Sequence, residues 1–207
     1  MKTLASLTVI IIAIIIGAII VSSAALTVED ETADSFSEED MQQMIDEIYT
    51  EISTYMQVDK IMGKFDDNKN ERDIRQIAIL LHPKFSTEIL IEDIVLEISN
   101  GFQTQFYYFN GIYGDLSNQT LFTHSLWTNL PSNSFAVLPM LDKDQSIKQL
   151  QVINKNSDRL YIVVKIPDSF SLHKGDELHI SLYPPTGVVK KMNVRIPFSI
   201  SSITTLS

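Results

Sequence analysis

The sequence predicts an α+β chain: one long N-terminal helix, apolar and then amphipathic, followed by an antiparallel β-sandwich. Three observations carry that reading. Residues 3–28 are 26 residues without a charge, eight of them isoleucines between Ile10 and Ile20, a run beyond the ~18 apolar residues that mark a membrane-spanning segment. Over 29–57 apolar residues recur at helical spacing, and no Pro or Gly interrupts 18–62. From 58 onward short apolar runs alternate with turn residues, which marks a series of short strands.

Composition narrows the function classes. A chain of 207 residues holds one folded domain and an additional element. The absence of cysteine excludes disulfide scaffolds, thiolate zinc sites and cysteine nucleophiles. A net charge of −10, from 26 acidic and 16 basic residues, argues against a nucleic-acid partner. With 44% hydrophobic and 20% charged residues the chain is not disordered. The charge is unevenly placed. Residues 1–57 hold one basic residue, Lys2, and ten acidic ones, all between Glu29 and Glu51, whereas 58–207 hold 15 basic and 16 acidic.

The first element is the apolar run. With Lys2 before it and the acidic stretch behind it, its N-terminus faces the cytoplasm. It suits a secretory signal cut at Ser22-Ser23-Ala24 or Ser23-Ala24-Ala25, a permanent anchor, or a helix held in lipid and later buried against copies of itself. Signal cores usually run ~7–15 residues, shorter than this one. The second element continues it. Phe36, Met41, Met44/Ile45, Ile48, Ile52 and Tyr55/Met56 line one helical face, and Glu38, Glu39, Asp46, Glu47 and Glu51 the other. One helix from about residue 4 to about 56 is roughly 80 Å long at 1.5 Å per residue, with Asp34, Ser35 and Ser37 available to cap a restart. The remaining domain is too small to cover such a helix, so lipid or other chains must do so.

The strands follow at 74–81, 89–98, 102–109, 134–141, 159–166, 177–183, 188–196 and 203–206. Leu160, Ile162, Val164 and Ile166 share one face, as do Leu178, Ile180 and Leu182. Asn100-Gly101, Asn110-Gly111, Lys174-Gly175-Asp176 and Pro184-Pro185-Thr186-Gly187 separate them as turns. The span 89–98 is the least regular, since Glu92-Asp93 suits a bend or a short helix. The set fits an immunoglobulin-like sandwich.

Three stretches resemble the archaellins, the archaeal flagellin subunits. Leu4-Ala5-Ser6-Leu7 with the isoleucine run is similar to the start of their mature chains. Gln76 to Leu81 and Ile94 to Ser99 resemble their first β segments. The most specific is the ending, Gly175-Asp176-Glu177-Leu178-His179-Ile180-Ser181-Leu182-Tyr183-Pro184-Pro185-Thr186-Gly187 and then Ile196-Pro197-Phe198-Ser199-Ile200. The resemblance implies domains 1–3 (residual leader), 4–57 (polymerisation helix, apolar over 4–28 and acidic over 29–57) and 58–207 (outer sandwich). It implies a class III signal on a type IV pilin-like helix, cut after Thr3 by a prepilin-type peptidase. The chain would then wait in the membrane and polymerise above the archaellum motor membrane protein into an extracellular motility filament, with itself or with other archaellins. Leu4, Leu7, Ile10, Ile11, Ile14, Ile15 and Ile19 would form the polymerisation core. The leader departs from the family, which usually has more basic residues and a Gly before the cut. No charge stands between Lys2 and Glu29, so the Glu near the start of bacterial type IV pilins has no counterpart. The other readings are a membrane-anchored extracytoplasmic β-domain, such as a stator-like component or an archaeal adhesion pilin, and a secreted module with a cleaved signal.

Candidate sites are few. Asp142, Asp144 and Ser146 place oxygens at alternating positions, which suits Ca²⁺, as does the loop Asp66-Asp67-Asn68-Lys69-Asn70-Glu71. Neither has the Gly or the distal acid of an EF-hand. The resemblance favours the first, since some archaellins carry a metal in the outer domain; a solvated turn is the alternative. Asn118-Gln119-Thr120 is a glycosylation acceptor, and the resemblance implies that it is used. His82, His124, His173 and His179 lack metal spacing and read as surface residues. There is no nucleotide loop, nucleophile elbow or HExxH, so the expectation is a structural protein without catalytic residues or an organic cofactor. Trp127 is expected in packing.

Overall fold

Period-two alternation of β-branched and aliphatic residues requires a sheet with one face in a core, and the computed structural model contains that sheet. It describes residues 41–45, 48, 55–66, 73–114, 120–199 and 201–207. By contacts the chain divides into two compact units, Met1–Met41 and Gln42–Ser207. The apolar run, with Leu4, Leu7, Ile10, Ile11, Ile14, Ile15, Ile19 and Thr3, lies outside the described residues. Among the described residues no helix is long and apolar enough to cross a membrane. Residues 41–45 and 48 are helical.

The described residues then form eleven strands: β1 Met56–Phe65, β2 Ile74–Pro83, β3 Ile89–Leu90, β4 Val95–Ser99, β5 Thr104–Ile112, β6 Ser134–Leu141, β7 Val152–Ile153, β8 Arg159–Lys165, β9 Glu177–Tyr183, β10 Lys190–Arg195 and β11 Ile203–Thr205. Nine form one sheet in the order β10-β9-β4-β5-β6-β8-β2-β1-β11, and β3 pairs with β7 separately. The sheet curls so that its edges approach. Arg195 at the end of β10 donates its backbone N–H to Ser207 O at 2.7 Å, just beyond β11. This curled, mostly antiparallel sheet is compatible with a sandwich.

Two expectations are corrected and an open one is resolved. The sheet is not wholly antiparallel: β5 and β6 run parallel, Tyr108 beside Ser134 and Ile112 beside Val137. A parallel neighbour needs a long crossover, which here includes a 3-10 turn, Leu121–Thr123, and the short helix α1, Leu126–Asn129. The irregularity of 89–98 at Glu92-Asp93 is a 3-10 turn, Ile91–Asp93, between β3 and β4. Met56 begins a strand and is buried rather than lying on a helix face.

The inner face carries Ile77, Ile79 and Leu81 of β2, Leu96 and Ile98 of β4, Phe135 and Val137 of β6, Leu160, Ile162 and Val164 of β8, and Leu178, Ile180 and Leu182 of β9, all buried in one cluster. Each such side chain contributes ~1.5–3 kcal/mol on burial. Around β2, β6 and β8 the outer face is also covered. Ala78, Ala136, Leu138 and Val163 pack under Phe122, Leu126, Trp127 and Leu130 of the crossover. The turns use glycine where φ is positive: Gly175 has φ 90°, and a Cβ there would stand 2.7 Å from the Phe198 ring.

Candidate functional site

β6 delivers the chain to an acidic turn, and the elements after it fold back over that turn. The helix α2, Ser146–Leu150, starts and ends on left-handed residues, Gln145 (φ 60°) and Gln151 (φ 58°), which turn the chain sharply into β7. Asp142 sits at the start of this helix and accepts hydrogen bonds from the backbone N–H groups of Ile147 (3.4 Å) and Lys148 (3.1 Å), where a carboxylate satisfies free donors. Asp144 accepts from Ser146 N at 3.4 Å and pairs with Lys155 Nζ at 2.8 Å. The Ser146 hydroxyl lies 3.0 Å from Asn154 Oδ1, as its donor.

The third acid is Asp158, at the foot of β8. It is buried, 1% exposed, and its Oδ2 accepts from Asn154 N (3.2 Å) and Lys155 N (3.0 Å). One oxygen of each of Asp142, Asp144 and Asp158 lies within 4.8 Å of the others. Burial raises the Asp158 carboxyl above the usual range, the nearby Asp144 and Asp142 charges add to this, and the two backbone donors partly oppose it. The Lys155 ammonium, helped by Ser146 and Asn154, holds Asp144 well below the usual carboxylate range, and Asp144 in turn raises Lys155. The cluster gathers hard oxygens, one of which is paired with a lysine. Oxygens of this kind are the donors Ca²⁺ takes, 6–8 of them at 2.3–2.6 Å.

Sequence spacing found Asp142, Asp144 and Ser146 but missed Asp158, Asn154 and Lys155. No local pattern connects them; the turn of α2 into β7 brings them together. The Asn118 acceptor and residues 67–71 of the other acidic loop lie outside the described residues. His82 is half-buried at the surface: its side chain is 13% exposed and its Nδ1 lies 2.9 Å from Asp59 Oδ2. His173 reaches buried Asp73, which Arg75 also binds at 2.7 Å, and Arg75 donates to Pro167 O and Phe170 O. This group ties the 167–173 loop to β2. Trp127 packs as expected, stacked on Phe122 at 5.9 Å with its indole N–H donated to Leu121 O at 2.8 Å.

No family model and no curated protein matches the chain. Solved structures do. The crystal structure of the archaeal flagellin FlaB1 from Methanocaldococcus jannaschii is similar, with a TM-score of 0.65 and 18% identity over 73% of this chain and 95% of that one. The archaeal flagellum of Methanospirillum hungatei strain JF1 is similar with a TM-score of 0.52 and 12% identity, over 96% of this chain and 95% of that one. The archaellum periplasmic stator protein FlaG from Sulfolobus acidocaldarius superposes at 0.39, with 15% identity over 68% and 98%. The chain has an archaellin-like fold.

Proposed function

We propose that this chain is a structural subunit of the archaellum filament, polymerising through its N-terminal helix for swimming motility, and is not an enzyme. One observation carries the reading: an archaellin-like β fold is joined in sequence to 26 uncharged residues. Exposed to water those residues are a liability; buried among copies, each large one contributes ~1.5–3 kcal/mol. Contacts that repeat without closing build a helical polymer. Before assembly the same segment resides in the membrane, and a prepilin-type peptidase removes residues 1–3 after Thr3. The finished filament is extracellular, with Asn118 glycosylated and Ca²⁺ held by Asp142, Asp144 and Asp158 beside Ser146.

Electron microscopy of filaments sheared from cells, with mass spectrometry of their subunits, tests this. The expected result is this chain in the filament, starting at or near Leu4. An intact start in the membrane fraction would favour an anchored, stator-like or adhesive role. A start near Ala25 would overturn the filament reading, because the polymerising helix would be gone.

A further inference from the structure

The curled sheet leaves its main core open along one slot. β11 pairs with β1 only at Met62–Lys64, Leu206 N bonds Ile61 O just beyond, and the earlier half of β1 faces β10 across a groove of about 340 Å³. Val58, Met192 and Leu206 are among the apolar residues that line it. Val58 and Met192 pack against the main core yet are only partly buried. Such a strip of apolar surface between strand edges is a receptor for an apolar helix face.

The rim of the slot is basic. Lys60 is exposed on β1. Lys190 opposite it donates to Tyr55 Oη at 2.8 Å and sits 5.1 Å from that ring's centre. The acid at the rim, Asp59, is engaged by His82 at 2.9 Å and by Arg159 at 3.6 Å. The chain's acidic excess lies elsewhere, in ten carboxylates between Glu29 and Glu51. In that stretch Met44, Ile45 and Ile48 are helical and 41%, 47% and 43% exposed.

We propose that the slot between β1 and β10 docks the acidic amphipathic segment 42–51 of a second copy of this chain. Met44, Ile45 and Ile48 cover Val58, Met192 and Leu206, and Glu47 and Glu51, which follow Met44 and Ile48 by three residues and so border that apolar stripe, meet Lys60 and Lys190. Two unsatisfied surfaces, one apolar with a basic rim and one apolar with acidic neighbours, complete each other. Charge sets the partner and the register, and the apolar contact supplies the burial. The inference rests on the filament reading, which brings copies side by side.

The chain has no cysteine, so introduced thiols report cleanly. Full-length copies carrying only Ile48→Cys are expressed together with copies carrying only Met192→Cys, and the sheared filaments are oxidised. A disulfide-linked dimer joining the two variants is expected, absent when either is expressed alone. Filaments that form without the mixed dimer would overturn the docking and leave the filament reading intact. Charge reversal gives a second measurement. Lys60→Glu with Lys190→Glu is expected to lower filament yield at least tenfold, and adding Glu47→Lys and Glu51→Lys to restore it; unchanged yield in the first variant would overturn the docking. If the unaltered chain makes no filament at all, the filament reading fails and the docking falls with it.

Discussion

Among the described residues Tyr107 is the largest fully buried side chain, and its hydroxyl has no hydrogen-bond partner there. Burial pushes its phenol above the ordinary value, so it stays protonated and unpaired. A buried polar group without a partner costs ~1–3 kcal/mol. Tyr107→Phe is therefore expected to leave stability unchanged or raise it by about 1 kcal/mol in chemical denaturation; a loss above that size would show a partner for the hydroxyl. Asp158 poses the opposite case, a buried acid with two backbone donors and two acidic neighbours. Its folded pKa is raised, so its protonated form is favoured, and stability is lost as pH rises from the ordinary aspartate value, ~3.9, through the raised one. Asp144 has the other sign: its folded pKa is depressed, so its contribution is present above the ordinary value and lost as pH falls through the folded one. Asp158→Asn resembles the protonated acid. In chelator at neutral pH it is expected to melt no lower than the native chain. Ca²⁺ is expected to stabilise the native chain by about 2.7 kcal/mol at a hundredfold excess over Kd and to leave the variant nearly unmoved. An equal rise in melting temperature for both would exclude this cluster as the site.

Among the elements, the crossover between β5 and β6 makes the fold more than a curled sheet. Phe122 and Trp127 stack over Ala78, Ala136 and Val163, small or slender residues that let the aromatic layer approach the strands. Trp127→Ala removes the stack and the bond to Leu121 O, at an expected cost of ~3–5 kcal/mol. Amide protection in β4 and β9, on the far half of the sheet, should persist at temperatures where β6 and β8 have lost theirs; simultaneous loss everywhere would show that the two clusters melt as one. These elements differed in how plainly the sequence announced them. β6 and β9 match their read boundaries, because turn residues bracket them and, in β9, alternation is unbroken. β1 was hidden. Its register shifts between Val58 and Lys60, so the bulge breaks period two, and Met56 at its head also fits the preceding helical period. The parallel pairing of β5 and β6 left no mark in either strand, since it follows from the path of the crossover. Asp158 was silent for a similar reason: it joins Asp142 and Asp144 through the reversal at α2, not through spacing.

At the scale of the whole molecule, the sequence separates an uncharged run from a β unit with nearly balanced charge, and the proposed assembly uses the separation. The test is a charge placed in the run. Ile15 lies among the residues read as the polymerisation core, and Ile15→Asp puts a carboxylate where every neighbour is apolar. As a single span in lipid the variant is tolerable: an acid at a helix centre costs ~2.5–3.5 kcal/mol on insertion scales, and water defects reduce the strain. In a dry bundle of helices the same charge is repeated in every subunit without a counter-ion, a far larger penalty. The two states therefore respond differently. The variant is expected to accumulate in the membrane fraction with its outer domain folded, while filaments disappear from electron micrographs. Ile15→Val, which removes one methylene at ~0.5–1.5 kcal/mol, should still give filaments, and so distinguishes loss of packing from introduction of charge. Normal filaments built from the Ile15→Asp chain would show that the uncharged run does not line the filament core. The same chain missing from both membrane and filament would place the failure at insertion instead.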